Sequence, residues 1–103
     1  MIQFDKAKPR PKVATDAEVE RSKFIADRTA RVAALKVKVG DLEFDGDETS
    51  QNRMARSIVG MNDTDTLPWT LANNEVVQVT KAQLTQALRL SGLAQAEVWA
   101  MPD

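Results

Sequence analysis

The sequence predicts an α+β fold: a small antiparallel sheet from two β-hairpins, helices packed on one face, and an extended N-terminal arm in front. Three observations predict it. The apolar period switches from helical to alternating twice along the chain. Each alternating stretch is interrupted by a turn-forming pair, Gly40-Asp41 in one and Asn73-Asn74 in the other. Helix-start signals, Thr15 with Glu18, then Asp47, then Thr80 with Gln83, stand before the helical stretches. At 103 residues the chain suits one domain, read as residues 15–103 behind a leader of residues 1–14.

In the leader, Pro9 and Pro11 remove two backbone donors and push Lys8 and Arg10 towards extended conformations. Lys6, Lys8, Arg10 and Lys12 alternate along it, and Ile2 and Phe4 are apolar hooks at its start. As polyproline II, such a leader would reach roughly 43 Å. The capping box Thr15-Asp16-Ala17-Glu18 then opens a helix to about Leu35, with Ile25, Val32 and Leu35 on one thin apolar face. Val37 and Val39, then Leu42 and Phe44, alternate on either side of Gly40-Asp41, the pattern of a two-residue hairpin. Asp47 is placed to cap a helix through about Val59 that buries Met54, Ala55, Ile58 and Met61. A polar loop closed by Pro68 leads to the second hairpin, Trp69 to Ala72 and Glu75 to Val79 around Asn73-Asn74. Thr80-Lys81-Ala82-Gln83 opens the last helix, which carries Leu84, Ala87 and Leu88 and which Gly92 ends or weakens. Hairpin followed by capped helix thus occurs twice.

The residues that are missing narrow the chemistry. There is no Cys and no His, so disulfides, thiolate nucleophiles, His-ligated zinc and a Ser-His-Asp triad are all excluded. No Gly-rich phosphate loop is present, and no buried-looking acid is flanked by apolar residues on both sides of a strand pattern, as a general acid would be. The sequence therefore predicts no catalytic residues, no cofactor and no small-molecule substrate. The acidic run Asp41 to Glu48 approaches the spacing of an EF-hand loop. Asn52 stands where that loop needs a bidentate Glu, however, and Leu42 and Phe44 alternate as a strand. No metal site is predicted. No stretch has the apolar length of a membrane span, so no membrane partner is expected.

Charge is unevenly divided. Residues 1–40 hold ten Lys and Arg against five Asp and Glu, while residues 41–103 hold four against ten. Such polarity suits association with an acidic protein surface or between copies. Nucleic acid is a poorer match for the leader, where Phe4 is the lone aromatic. Candidate partner-binding residues are Ile2, Phe4, Lys6, Lys8, Arg10 and Lys12 in the leader, and Ser50, Gln51 and Arg53 on the second helix. Trp69 is expected in the core. Trp99 either closes the core or anchors a partner.

From about Arg28 to Trp99 the chain resembles an uncharacterised bacteriophage domain family, catalogued as a domain of unknown function and found in or beside tail-fibre and tail-assembly proteins. The residues carrying the resemblance are Arg31, Phe44-Asp45-Gly46-Asp47, Ser50-Gln51-Asn52-Arg53-Met54, Trp69, Ala72-Asn73-Asn74 and Val76 to Thr80. The resemblance implies a phage tail or tail-fibre associated protein, in the tail region of the virion or in the host cytoplasm during assembly. Its partners would be tail or fibre proteins or copies of itself. The alternative is a small phage regulator or inhibitor that binds a host protein.

Overall fold

The structure is a computed structural model that describes residues 15–100. In chain order these form α1 (Asp16–Ala33), β1 (Lys36–Val39), β2 (Leu42–Asp45), α2 (Glu48–Gly60), β3 (Thr66–Thr70), β4 (Val76–Thr80) and α3 (Lys81–Ala100). The α+β class and the element order follow the sequence. The leader lies outside the described residues.

Both capping boxes form. Thr15 Oγ1 accepts from Glu18 N at 3.1 Å while Glu18 Oε1 accepts from Thr15 N at 2.9 Å. Thr80 and Gln83 repeat the arrangement at 3.1 and 2.9 Å. Each box satisfies amides that the first helical turn leaves without partners. Asp47 occupies the N-cap position of α2, but its side chain makes no cap hydrogen bond. Its Oδ1 accepts from the Ser50 hydroxyl instead.

The first hairpin has the register expected, Val39 opposite Leu42 and Val37 opposite Phe44. Gly40 at φ +62° is its left-handed residue, and Asn74 is the one non-glycine residue with positive φ among those described, so the turn has Gly at the first central position as type II′ requires. The second hairpin differs from expectation. Its strands begin at Thr66 and end at Thr80, with Trp69 opposite Val77. Its loop is three residues, Ala72 to Asn74, and not the pair Asn73-Asn74. Asn74 N donates to Leu71 O at 2.9 Å and Leu71 N to Glu75 O at 2.8 Å. With Asn74 left-handed at φ 70°, this is a type I turn followed by a bulge. Asn73 Oδ1 accepting from Glu75 N at 2.9 Å holds the loop.

The hairpins do not merge into the single sheet expected; they are two separate two-stranded sheets. One backbone bond, Ala72 N to Glu43 O at 3.0 Å, joins them. Pro68 lies on the edge of β3 that faces away from β4. The bond from Leu71 N to Glu75 O fixes which pairs exchange ladder bonds, so the backbones of Thr66, Pro68 and Thr70 point away from β4. A proline there costs the hairpin nothing but denies β3 a donor along its outer edge.

The core is Val37, Phe44, Met54, Met61, Leu71, Val79, Leu84 and Ala87, drawn from both hairpins, α2, α3 and the segment after α2. α3 is the element that unites them, packing against α2, β1 and β4 on one side and α1 on another. It runs through Gly92 without a stop, and a side chain added there would meet open space. α1 departs most from expectation. Its buried residues are Arg28 and Val32, while Ile25 is exposed. The stripe that packs is Phe24, Arg28 and Val32, each four residues from the last.

Candidate functional site

Where α2 begins, the backbone is held in place from several directions. Gly46 N donates to Leu35 O at 2.8 Å, and Gly46 O accepts from Gln51 Nε2 at 2.9 Å. Gln51 Nε2 also donates to Gln95 Oε1 at 2.8 Å, and Gln95 Nε2 donates to Glu48 Oε2 at 2.7 Å. Gln51, a candidate partner contact from sequence, therefore spends its side-chain amide inside the fold, holding the Gly46 backbone just before α2 and tying α2 to Gln95 of α3. Above Gly46 lies Ser91, fully buried, its hydroxyl donating to Ala87 O at 2.7 Å.

On the other side of this junction the two hairpins splay apart. The Gly46-to-Leu35 bond fixes the alternation along β1 and β2, so the backbones of Glu43 and Asp45 point away from β1. Between them and β3 opens a cleft of about 300 Å³ lined by Asp45, Ser50, Arg53, Pro68, Trp69 and Thr70. Two of the sequence-predicted contact residues, Ser50 and Arg53, thus share one site. Trp69, expected in the core, does both jobs: it is half-buried against the core and forms a wall of this cleft. Arg53 is exposed and has no ion pair among the described residues, whereas Asp45 faces Lys36 Nζ at 3.9 Å. That exposed pair contributes little to stability.

Trp99 lies in a different place. It borders a cleft of about 220 Å³ with Thr29, Val32, Ala33, Asp47, Glu48 and Thr49. Its ring meets Phe24 edge-on, with centroids 6.1 Å apart and planes at 62°. The Arg28 guanidinium lies over the Phe24 ring, 4.1 Å from its centroid, and Arg28 Nη1 pairs with Asp27 Oδ2. Trp99 is still 40% exposed, so it fastens α3 to α1 with one part of its ring and offers the rest to solvent. Arg28 was missed from the sequence, although its place between Phe24 and Val32 at four-residue spacing was a readable sign.

The acidic run is dispersed by the fold: Asp41 in the turn, Glu43 and Asp45 on β2, Asp47 and Glu48 at the head of α2. Among the described residues no three Asp or Glu side chains gather as a metal site would need. No helix among them is long and apolar enough to cross a membrane. Ile2, Phe4, Lys6, Lys8, Arg10 and Lys12 lie outside the described residues.

A family model described as a domain of unknown function (DUF4376) matches residues 12–100. The chain belongs to this family. The DUF4376 match takes in all three helices and both hairpins, with the splayed cleft between them, and begins at Lys12 within the leader. It is wider than the stretch from Arg28 that carried the resemblance. No curated protein and no solved structure matches the chain.

Proposed function

We propose that this chain is a phage tail or tail-fibre associated structural or assembly protein, acting by protein–protein contact and not by catalysis. It binds neighbouring tail proteins, or its own copies, through the leader, in the virion tail or in the host cytoplasm during assembly. The observation that supports this reading is α1. It is 18 residues long and buries Arg28 and Val32, while Val19 and Ile25 remain exposed. Helices in water draw most of their stability from a packed face, so one with so little packing is suited to being covered by a partner. The resemblance of the Phe44 to Asp47 and Ser50 to Met54 segments to phage tail-associated domains points the same way.

The test is mass spectrometry of purified particles of the phage or prophage that encodes the chain, with binding assays against its fibre proteins. A virion component appears in the particles; an assembly chaperone is missing from them but binds a fibre protein. Absence from particles together with no fibre binding refutes the proposal and favours the regulator that binds a host protein.

A further inference from the structure

Among the described strands, the outer edge of β4 is the bare one. The Leu71 N to Glu75 O bond fixes the ladder of the second hairpin, so the backbones of Val76, Gln78 and Thr80 point away from β3. Thr80 is engaged within its own chain, its N donating to Gln83 Oε1 at 2.9 Å. On that outer edge Val76 and Gln78 have no backbone partner among the described residues. An unpaired row of this kind is a template for a further strand, and folded proteins blunt it with charge or proline. The other edges are blunted in this way. Lys36 and Lys38 hold the outward positions of β1, Glu43 and Asp45 those of β2, and Pro68 the middle one of β3. On β4 the run Val76 to Thr80 has neither charge nor proline, and Val76 is 61% exposed.

We propose that β4 pairs with β4 of a second copy, antiparallel about a twofold axis through Val77. The free backbone groups select that register. With Val77 on the axis, Val76 of each copy lies opposite Gln78 of the other, and the outward N–H and C=O of both are bonded. Centring on Gln78 instead would set Val76 against Thr80, whose amide is already held by Gln83. Charge selects a second copy as the occupant. Glu75 precedes the edge and Lys81 follows it. An antiparallel copy sets each Glu75 opposite Val79 of the other and diagonal to its Lys81, a contact that long side chains span. Glu75 is exposed and has no ion pair among the described residues. Lys81 has Asp63 at 3.9 Å, but Asp63 is 96% exposed and holds it weakly. The product is also closed. The sheets join in the order β3-β4-β4-β3, and each outer edge is then a β3 in which Pro68 denies a donor to any further strand. No residue of the leader takes part.

Sedimentation velocity and oxidative cross-linking of the full chain test this. Val76→Lys puts two cations on one face diagonally across the axis, about 7–8 Å apart at their Cα atoms, and weakens self-association by about tenfold. The Val76 side chain is exposed, so the circular dichroism spectrum of the variant is unchanged. The chain has no Cys, so a single introduced thiol can bridge only to its counterpart. Val77→Cys, with opposite Cα atoms about 4.5 Å apart, cross-links into a dimer. Glu75→Cys, about 14 Å from its counterpart along the paired strands, does not. A full chain that is monomeric at every accessible concentration, or one that associates without a cross-link in Val77→Cys, overturns the pairing. Self-association untouched by Val76→Lys overturns the β4 edge as its seat and leaves the docking arm standing. Glu75→Cys cross-linking as readily as Val77→Cys overturns the register.

Discussion

Gly46→Ala is the most informative perturbation of the junction that holds the cleft open. A β-carbon at Gly46 would stand 2.8 Å from Ser91 Oγ, 3.4 Å from Ser91 Cβ and 3.5 Å from Leu35 Cβ. The backbone at Gly46 is not left-handed, so the conflict is one of space alone. Retreat is blocked, because the amide is bonded to Leu35 O and the carbonyl to Gln51 Nε2. Forcing a methyl group into a packed site costs about 1–3 kcal/mol, and the stiffer unfolded chain returns about 0.4–1 kcal/mol of that. The net expectation is a loss of about 1–2 kcal/mol, a drop in Tm of about 4–8 °C for each kcal/mol in a domain of this size. Ser91→Ala removes the oxygen at 2.8 Å and leaves ordinary contacts. Its own effect is expected within about 1 kcal/mol of zero, since Ala87 O loses only a side-chain donor and alanine is the better helix former. In the Ser91→Ala background Gly46→Ala should therefore be nearly neutral, a coupling of about 1 kcal/mol or more. Urea denaturation of the four proteins, followed by circular dichroism and tryptophan fluorescence, measures it. The reasoning is refuted if Gly46→Ala is harmless alone, or if its cost is the same with and without the Ser91 hydroxyl.

Gly92 lies exposed inside α3, and a β-carbon added there would have nothing within 4 Å, so Gly92→Ala should raise stability by about 0.5–1 kcal/mol in the same assay. Thr80→Ala removes the acceptor for Gln83 N and should lower stability by about 1 kcal/mol; Thr80→Ser should recover most of it. Leu84 is fully buried among residues of both hairpins and α2, and Leu84→Ala should cost about 2–5 kcal/mol through the cavity it leaves. Asn74→Ala should cost about 1 kcal/mol, because alanine is strained at the left-handed φ of 70° that Asn74 adopts.

Much of this protein was legible along the chain because the signals are local. A capping box needs four consecutive residues, and both Thr15–Glu18 and Thr80–Gln83 form as read. The Gly40 turn needs a glycine between two alternating stretches, and its register follows. Phe44, Met54, Leu84 and Ala87 reach the core from periodicity alone. The candidate site was legible only in part. Ser50 and Arg53 were singled out as polar contacts on the second helix, but no local pattern said that they would line a cleft with Trp69 or that Gln51 beside them would turn inward to Gln95.

What the amino-acid order determined by itself, then, is where each helix and hairpin starts and which face of it is apolar, since propensity, capping and alternation act within a few residues. The tertiary structure decided the rest. Whether two hairpins fuse into one sheet depends on how they meet, and here one backbone bond joins them, from Ala72 in the loop of the second hairpin to Glu43 of β2. Whether an arginine is buried depends on the helix opposite, and Arg28 is buried with its guanidinium over the Phe24 ring that Trp99 of α3 meets edge-on. Gly46 is confined by Ser91, forty-five positions along the chain. Contacts across such separations are fixed only when the elements pack, and that packing is what shapes the cleft.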